Sequence, residues 1–226
     1  MKRKRQHVSD EMFSVSKRIG TAVKDFDLMK EGDRILVVVD GTAASWCCAD
    51  LLVFRRSFAP IQYDVEIVIP QDILSPEFCS YIRDYSLKFN VTCHWEEKYI
   101  FTSESRVLLA KKFNCNKVAV FDDLDDMIER FMKIMLLKGS ILDQRPYLEI
   151  SYNIFAIYPL AYVDRDQINL MAQVEYPNHA DKFISKSDDF ETLAVRDMIN
   201  ALKKQHVGVR KNIFNCAFNI NTEYLI

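Results

Sequence analysis

Two hydrophobic patterns alternate along the chain. Short apolar runs rich in β-branched residues are separated by stretches in which apolar residues recur every three to four positions. The runs predict strands at Ile35–Val39, Tyr63–Ile69, Val91–His94, Lys117–Phe121, Tyr147–Ser151 and Asn153–Ile157. The stretches predict helices at Ser9–Met29, Trp46–Leu52, Pro76–Phe89, Ser103–Phe113, Met127–Lys138, Arg165–Gln173 and Phe190–Gln205.

This alternation of strands and helices predicts an α/β fold. Strands joined through right-handed helical crossovers form a parallel sheet with helices on both faces, a Rossmann-type arrangement. We expect residues 1–30 to form a basic tail and an N-terminal helix, and residues 31–226 to form the α/β domain with a C-terminal helical extension. The residues after Gln205 are interpreted as a polar, partly aromatic tail.

The loop Asp40–Ser45 follows the first predicted strand and precedes a helix. Such a loop lies at the carboxyl edge of the sheet, where helix-terminal amides collect anions, so phosphate binding is the first interpretation. Only Gly41 lets the backbone approach a ligand closely, whereas Asp40 puts a carboxylate where a phosphate would sit.

Composition narrows the class of protein. The 226 residues are 49% hydrophobic and 27% charged, with a formal net charge of −2, so the chain as a whole offers no electrostatic attraction for nucleic acid. A cytoplasmic protein without a secretory signal or membrane-spanning segment is expected. The six cysteines form no C-x-x-C pair, which favours reduced, mostly buried thiols.

Basic and acidic residues cluster locally. The Lys2–Arg5 run, Lys17 and Arg18, together with Lys203, Lys204, Arg210 and Lys211, are candidates for contacts with RNA. The loop Asp122–Asp126 carries four carboxylates after the fourth strand. Asp125 and Asp126 are interpreted as helix caps, and a site for a hard cation is the alternative. No metal-binding residues are assigned.

Four ordered segments resemble one family. They are DFDLMKEGDRILVVVDGTAAS, KVAVFDDLDDMIERFMKIM, YPLAYVDRDQI and VRDMINALKK. Together they resemble the PP-loop ATP pyrophosphatases, and within them the TtcA type that thiolates a cytidine in tRNA. The resemblance extends from about Phe26 to about Cys216.

The resemblance implies a PP-loop (HUP-like) fold and a chemistry. Family members adenylate a tRNA base with ATP and Mg²⁺ and then deliver sulfur, and the TtcA type has an iron–sulfur cluster held by cysteines. Gly41 and Ser45 match the family loop SGGxDS, and Asp125 and Asp126 match the two aspartates of its second motif. These four residues are the candidate cofactor-binding residues.

The same motifs depart from the family pattern. Asp40, Thr42 and Ala44 replace a serine, a glycine and an aspartate of the loop. Thr42 adds a side chain at the phosphates, Ala44 removes a carboxylate expected to help organise the metal, and Asp40 adds repulsion. The glycine and both histidines of the second motif are missing, and the cysteine pairs of TtcA are missing as well. We therefore expect an impaired ATP/Mg²⁺ site and no iron–sulfur cluster.

Three hypotheses follow. The chain is a degenerate, nucleotide-binding-fold member that binds tRNA or another RNA, which is the favoured one. It is alternatively an active ATP-dependent tRNA-modifying transferase with a divergent site, or a scaffold that binds a protein. A second copy of the chain, giving a homodimer, is a further expected partner.

Overall fold

The computed structural model describes residues 8–98, 101–141 and 145–218, so the Lys2–Arg5 run lies outside the described residues. The strands are β1 Arg34–Val38, β2 Asp64–Pro70, β3 Thr92–Glu96, β4 Lys117–Ala119, β5 Tyr147–Ser151 and β6 Ile154–Ile157. The helices are α1 Asp10–Asp25, α2 Ala43–Arg55, α3 Pro76–Phe89, α4 Ser103–Lys112, α5 Leu124–Lys138, α6 Arg165–Glu175, α7 Phe190–Gln205 and α8 Val209–Phe218. A 3₁₀ turn covers Ala180–Lys182.

The six strands form one sheet in the order β3-β2-β1-β4-β6-β5. All neighbouring pairs are parallel except β5 with β6. Only Tyr152 and Asn153 connect that pair, and Asn153 has a φ of 56°. A two-residue connection forms an antiparallel hairpin, because a parallel pair needs a crossover of a dozen or more residues. The predicted α/β class is confirmed, with β5 as the antiparallel exception.

Side chains of β1 alternate between the two faces of the sheet. Ile35 and Val37 pack into a cluster with residues of α1, α2, α3 and α6. Leu36 and Val38 pack on the other face against Leu109 and other residues of α4. This period of two is the expected geometry of a strand buried on both sides, and it confirms that helices cover both faces.

The C-terminal part differs from the prediction. The residues after Gln205 were predicted to be a tail, but Val209–Phe218 form α8, and Phe214 is buried. Phe214 joins a cluster with Met127 and Ile128 of α5 and with α7 residues. Among the α8 side chains that the structure describes, residues 209–217, only Phe214 and Ala217 are buried hydrophobic residues, so the periodic signal in the sequence is weak.

Not every apolar residue of the helices faces the core. The side chains of Leu108 in α4 and Leu136 in α5 are exposed, although other residues of both helices join buried clusters. None of the described helices combines the length and the apolar character needed to cross a bilayer.

Candidate functional site

The loop after β1 is held together by its own side chains. Asp40 Oδ1 accepts hydrogen bonds from Thr42 N at 2.9 Å and from Thr42 Oγ1 at 2.6 Å. Ser45 Oγ accepts from Asp40 N at 3.2 Å. The Thr42 amide lies at the N-cap of α2, where an anion would be attracted, and it already donates to the carboxylate of Asp40. The loop therefore carries an internal anion.

A later segment of the chain crosses this loop at Gly41. The Ile184 amide donates to Gly41 O at 2.9 Å. Gly41 has a φ of +86°, and a Cβ added there would lie 2.7 Å from Ile184 Cδ1. Glycine is thus required both by the backbone conformation and by the closeness of Ile184. We call residues 183–188 the strap. The strap takes up space directly over the loop.

The carboxylates of the acidic loop begin helix α5. Asp123 Oδ1 accepts from Asp126 N at 2.7 Å, and Asp126 Oδ2 accepts from Asp123 N at 3.4 Å, which is a capping box. The expected cap role is therefore met by Asp123 with Asp126. Asp125 does not cap α5, because its carboxylate faces another helix and accepts from the Arg165 amide at 2.9 Å.

Basic side chains from distant parts of the chain bind these carboxylates. Five carboxylates at the start of α5 meet five basic side chains. The pairs are Asp122 with Arg130, Asp123 with Arg165, Asp125 with Arg210, Asp126 with Arg165 and Lys186, and Glu129 with Arg165 and Arg196.

Asp126 lies at the centre of this set of ion pairs. Its side chain is only 10% exposed, and its Oδ1 lies 2.9 Å from Arg165 Nη2 and 2.8 Å from Lys186 Nζ of the strap. Desolvation alone would raise the pKa of Asp126, but the charges and hydrogen bonds of Lys186 and Arg165 hold it below its usual range. Asp126 is therefore ionised and already has two cationic partners.

Asp123 has the opposite character. Burial, with the neighbouring charge of Asp126, raises the pKa of Asp123 to about 7. Its nearest basic atom is Arg165 Nε at 3.6 Å, which compensates the buried charge only in part. The start of α5 therefore holds two neighbouring carboxylates, Asp123 with a raised pKa and Asp126 with a lowered pKa.

The arrangement does not support a cation site. Four carboxylates would have to converge on one ion, but each of them already has a basic partner, with Arg165 shared by Asp123 and Asp126. Among residues 8–98, 101–141 and 145–218, no three His, Cys, Asp or Glu side chains come together as metal ligands. The candidate residues Asp125 and Asp126 lie at one sheet edge, yet their oxygens are engaged.

A cavity of about 400 Å³ lies beside the strap. The loop residues Thr42, Ala43 and Ala44 form one side of it, and Asp123, Asp126 and Arg165 form another. The remaining wall comes from α6 and from the strap itself. Of the candidate residues, Asp126 lines the cavity, Gly41 lies under Ile184, and Ser45 is fully buried in α2.

The cysteines are free thiols, and four of the six are buried. Burial raises the pKa of Cys48 and of Cys93 to about 12 and that of Cys115 to about 11, and it raises the pKa of Cys47 well above its ordinary value. All six cysteines lie within the described residues, and no three metal-ligand side chains come together there as a cluster site would need.

The basic residues proposed for RNA contact divide into two groups. Lys17, Lys203, Lys204 and Lys211 are exposed, and Arg18 is 44% exposed. Arg210 is not available for RNA, because its guanidinium binds Asp125 and also Asp164 Oδ1 at 2.9 Å. Its assignment as an RNA contact stays a prediction, and these two ion pairs are the argument against it.

Sequence reasoning missed the partners of the acidic loop. Arg165 was only the first residue of a predicted helix, and the strap residues Ile184 and Lys186 belonged to no predicted element. One signal was present for Arg165: it begins a helix after β6, which neighbours β4 in the sheet. The carboxyl ends of parallel neighbours share an edge, so Arg165 and Asp126 had to lie near one another.

Comparison with known proteins shows which sequences this chain is similar to. No protein-family model matches the chain. The tRNA-cytidine(32) 2-sulfurtransferase of a Polaromonas species is 26% identical over 234 residues, covering 93% of this chain and 75% of that protein. The tRNA-cytidine(32) 2-sulfurtransferase of Geotalea uraniireducens is 26% identical, covering 97% and 96%.

A solved structure agrees in fold. The U34-tRNA thiolase NcsA from Methanococcus maripaludis, determined with its [4Fe-4S] cluster, superposes with a TM-score of 0.70 over 93% of this chain and 80% of that chain, at 14% identity. The fold and the loop at the carboxyl edge of β1 define a PP-loop-type α/β protein. Over most of its length the chain is similar in sequence to the tRNA-cytidine(32) 2-sulfurtransferases, the TtcA type.

Proposed function

We propose that this chain is a divergent TtcA-like protein that binds tRNA and has lost the ATP- and Mg²⁺-dependent chemistry of its relatives. One observation carries the proposal. The two family aspartates, Asp125 and Asp126, are neutralised by Arg210, Arg165 and Lys186 of the same chain. A site prepared for a cation leaves its carboxylates to the ion, and this one does not.

Binding of Mg²⁺ at Asp126 requires displacement of two cations. Lys186 is half-exposed, so its pair with Asp126 contributes only about 0–1 kcal/mol. Arg165 is more buried, and it also binds Glu129 through two nitrogens at 3.1 Å and 3.0 Å. Displacing Arg165 would leave the buried Asp123 without its basic partner and would take one of two cations from Asp126 and from Glu129, which is the larger cost.

Binding of a triphosphate at the loop meets two further obstacles. Ile184 lies against Gly41, so the strap must move before a phosphate can approach. Asp40 holds the Thr42 amide and carries a negative charge of its own. Two like charges at about 4 Å repel by about 1 kcal/mol in water and by several times that in a partly dry site.

A cysteine-bound iron–sulfur cluster is not part of the proposed function. Of the six cysteines, only Cys216 is exposed, and burial raises the thiol pKa of each of the others. Relatives that thiolate tRNA would use such a cluster in sulfur delivery, so this chain is proposed to act without that step. In this reading the protein is a pseudoenzyme.

Binding of tRNA is proposed from the relatives. Both similar sequences are named for a cytidine of tRNA, and the alignment covers nearly the whole chain. Exposed lysines on α1, α7 and α8 supply cations for phosphate contacts, despite the net charge of −2.

Titration calorimetry with ATP and Mg²⁺ tests whether the chain has lost the binding of ATP. The wild type is compared with a variant that carries Asp40→Ser, Thr42→Gly and Ala44→Asp, which restores the family loop. We expect no measurable binding by the wild type and weak binding, about 1 mM or tighter, by the variant, equivalent to roughly 4 kcal/mol.

Two further variants extend this titration. Lys186→Gln added to the restored loop should tighten binding further, because it removes one of the two cations that bind Asp126 Oδ1. Lys182→Gln is the matched control, since Lys182 immediately precedes the strap and lies 4.0 Å from Glu77. Micromolar binding of ATP by the wild type would contradict the proposal and favour an active enzyme with a divergent site.

A further inference from the structure

A second cavity lies on the far side of the acidic helix start, between α1 and α8. Its volume is about 390 Å³. The residues around it are Arg18, Thr21, Asp25, Leu124, Tyr162, Lys211, Phe214 and Asn215. Neither the loop after β1 nor the strap contributes to it, so it is separate from the site described above.

The floor of this cavity is aromatic. The rings of Tyr162 and Phe214 line it with centroids 5.6 Å apart at 58°, and Phe26, which is not part of the lining, packs on Tyr162 at 5.3 Å and 45°. The Tyr162 hydroxyl donates to Asp25 Oδ2 at 3.3 Å, which fixes the ring. Asn215 is exposed at the rim and offers both an amide donor and an acceptor.

Cations surround the cavity. Arg18 and Lys211 line it, and Lys17 and Lys24 are exposed on the same helix as Arg18. The guanidinium of Arg18 is held by a hydrogen bond from Nη1 to Tyr162 O at 3.0 Å. Asp25 carries the opposite charge here, while Asp164, 3.9 Å from Arg18, is also held by Arg210.

We propose that this α1–α8 surface binds a single-stranded segment of RNA, with one unstacked base in the cavity and the neighbouring phosphates on Lys17, Arg18, Lys24 and Lys211. The inference rests on the proposed binding of tRNA and names the surface that performs it. Aromatic rings beside a basic groove are the combination that recognises unpaired nucleotides, because every base has a face that can stack.

The combination of groups favours RNA over an acidic protein segment. An acidic peptide would use the cations alone and would leave the aromatic floor and the Asn215 amide without a function. An RNA base satisfies both, because its face can stack on the rings while its edge exchanges hydrogen bonds with an amide. Arg18 is already oriented by Tyr162, so little side-chain freedom is lost on binding.

The cations are tested with folded tRNA. A variant with Lys17→Gln, Lys24→Gln and Lys211→Gln is compared with a matched control with Lys88→Gln, Lys111→Gln and Lys138→Gln. The control removes three exposed lysines from α3, α4 and α5 and gives the same change in net charge. Binding is measured by fluorescence anisotropy over a range of salt concentrations, and circular dichroism verifies the fold of each variant.

We expect the test variant to bind tRNA about tenfold more weakly than the control, with the slope of log K against log salt reduced by about 2. Equal affinities and equal slopes for the two variants would overturn the assignment of this surface.

The cavity is tested separately by filling it. Thr21 is exposed at the rim, so Thr21→Trp puts an indole over the aromatic floor, while Thr21→Val keeps the volume nearly unchanged. A single-stranded oligoribonucleotide should bind Thr21→Trp about tenfold more weakly than Thr21→Val, whereas a duplex of the same length should bind both equally. The same affinity of the single strand for both variants would overturn the base-binding role.

The experiment separates two failures. If the wild type binds neither tRNA nor the single strand, the proposed function itself is wrong and a protein-binding scaffold becomes the better hypothesis. If the wild type binds RNA but the α1–α8 variants bind as well as their controls, tRNA binding stands and only this surface is wrong.

Discussion

At the scale of single residues, Asp123 and Asp126 show how context divides two neighbouring carboxylates. Both lie in one capping box, yet Asp126 has two cationic partners and Asp123 has only a distant one. The sequence predicts the caps, because aspartate before a helix satisfies free amides. It does not predict the pKa values, because these depend on Arg165 and Lys186, which are distant in the chain.

The raised pKa of Asp123 predicts a pH dependence of stability. Its pKa is about 7 in the folded chain and near 3.8 in the unfolded chain, so between about pH 4 and pH 7 the folded state binds the extra proton. The free energy of unfolding therefore falls as pH rises through this window. Asp123→Asn keeps the cap and removes the titration, so it should be the more stable form above pH 7, by on the order of 1–3 kcal/mol.

Urea denaturation at pH 5 and at pH 8 measures this effect. The wild type should lose stability relative to Asp123→Asn between pH 5 and pH 8, so the difference between the two proteins should be clearly larger at pH 8. Equal changes in both proteins between the two pH values would show that Asp123 does not titrate in this window.

At the scale of elements, the strands and most helices could be predicted from local pattern. The strand predicted at Ile35–Val39 is β1 Arg34–Val38, and the helix predicted at Phe190–Gln205 is α7 with the same bounds. Both have patterns that are complete within the segment itself. Helix α8 could not be predicted, because only two of its described side chains, residues 209–217, are buried, and its stability depends on packing against α5 and α7.

The docking of α8 is tested at Phe214. Its side chain is 3% exposed among residues of α5 and α7, so Phe214→Ala should lower the free energy of unfolding by about 3 kcal/mol. Asn212→Ala on the exposed side of the same helix is the control and should change the free energy by about 0.5 kcal/mol or less. Urea denaturation measures both. A loss for Phe214→Ala no larger than that of the control would mean that α8 does not belong to the folded core.

At the scale of the whole molecule, the parallel sheet brings both family motifs to one edge, as the strand order requires. The candidate residues Gly41, Asp125 and Asp126 follow β1 and β4, which are neighbours, so their proximity could be predicted. The sequence could not reveal that other residues of the same chain cover this edge of the sheet. Arg165 reaches Asp125 across 40 residues and Arg210 across 85, and contacts of that separation depend on the complete topology.

The contacts of the strap also depend on the fold of the whole molecule. Residues 183–188 connect the 3₁₀ turn to α7, and they put Ile184 on the loop after β1 and Lys186 on Asp126. In this type of fold the helix-terminal amides at this edge of the sheet can bind an anion, but here the strap of the same chain covers them. The assignment of Gly41, Ser45, Asp125 and Asp126 as cofactor-binding residues stays a prediction, and this internal covering is the argument against it.

The most direct measurement is a crystal structure of the wild type soaked with ATP and Mg²⁺. We expect electron density without an ordered triphosphate, with Ile184 still on Gly41 and Lys186 still on Asp126. A triphosphate ordered over Gly41, with a cation bound to Asp125 or Asp126, would contradict the account.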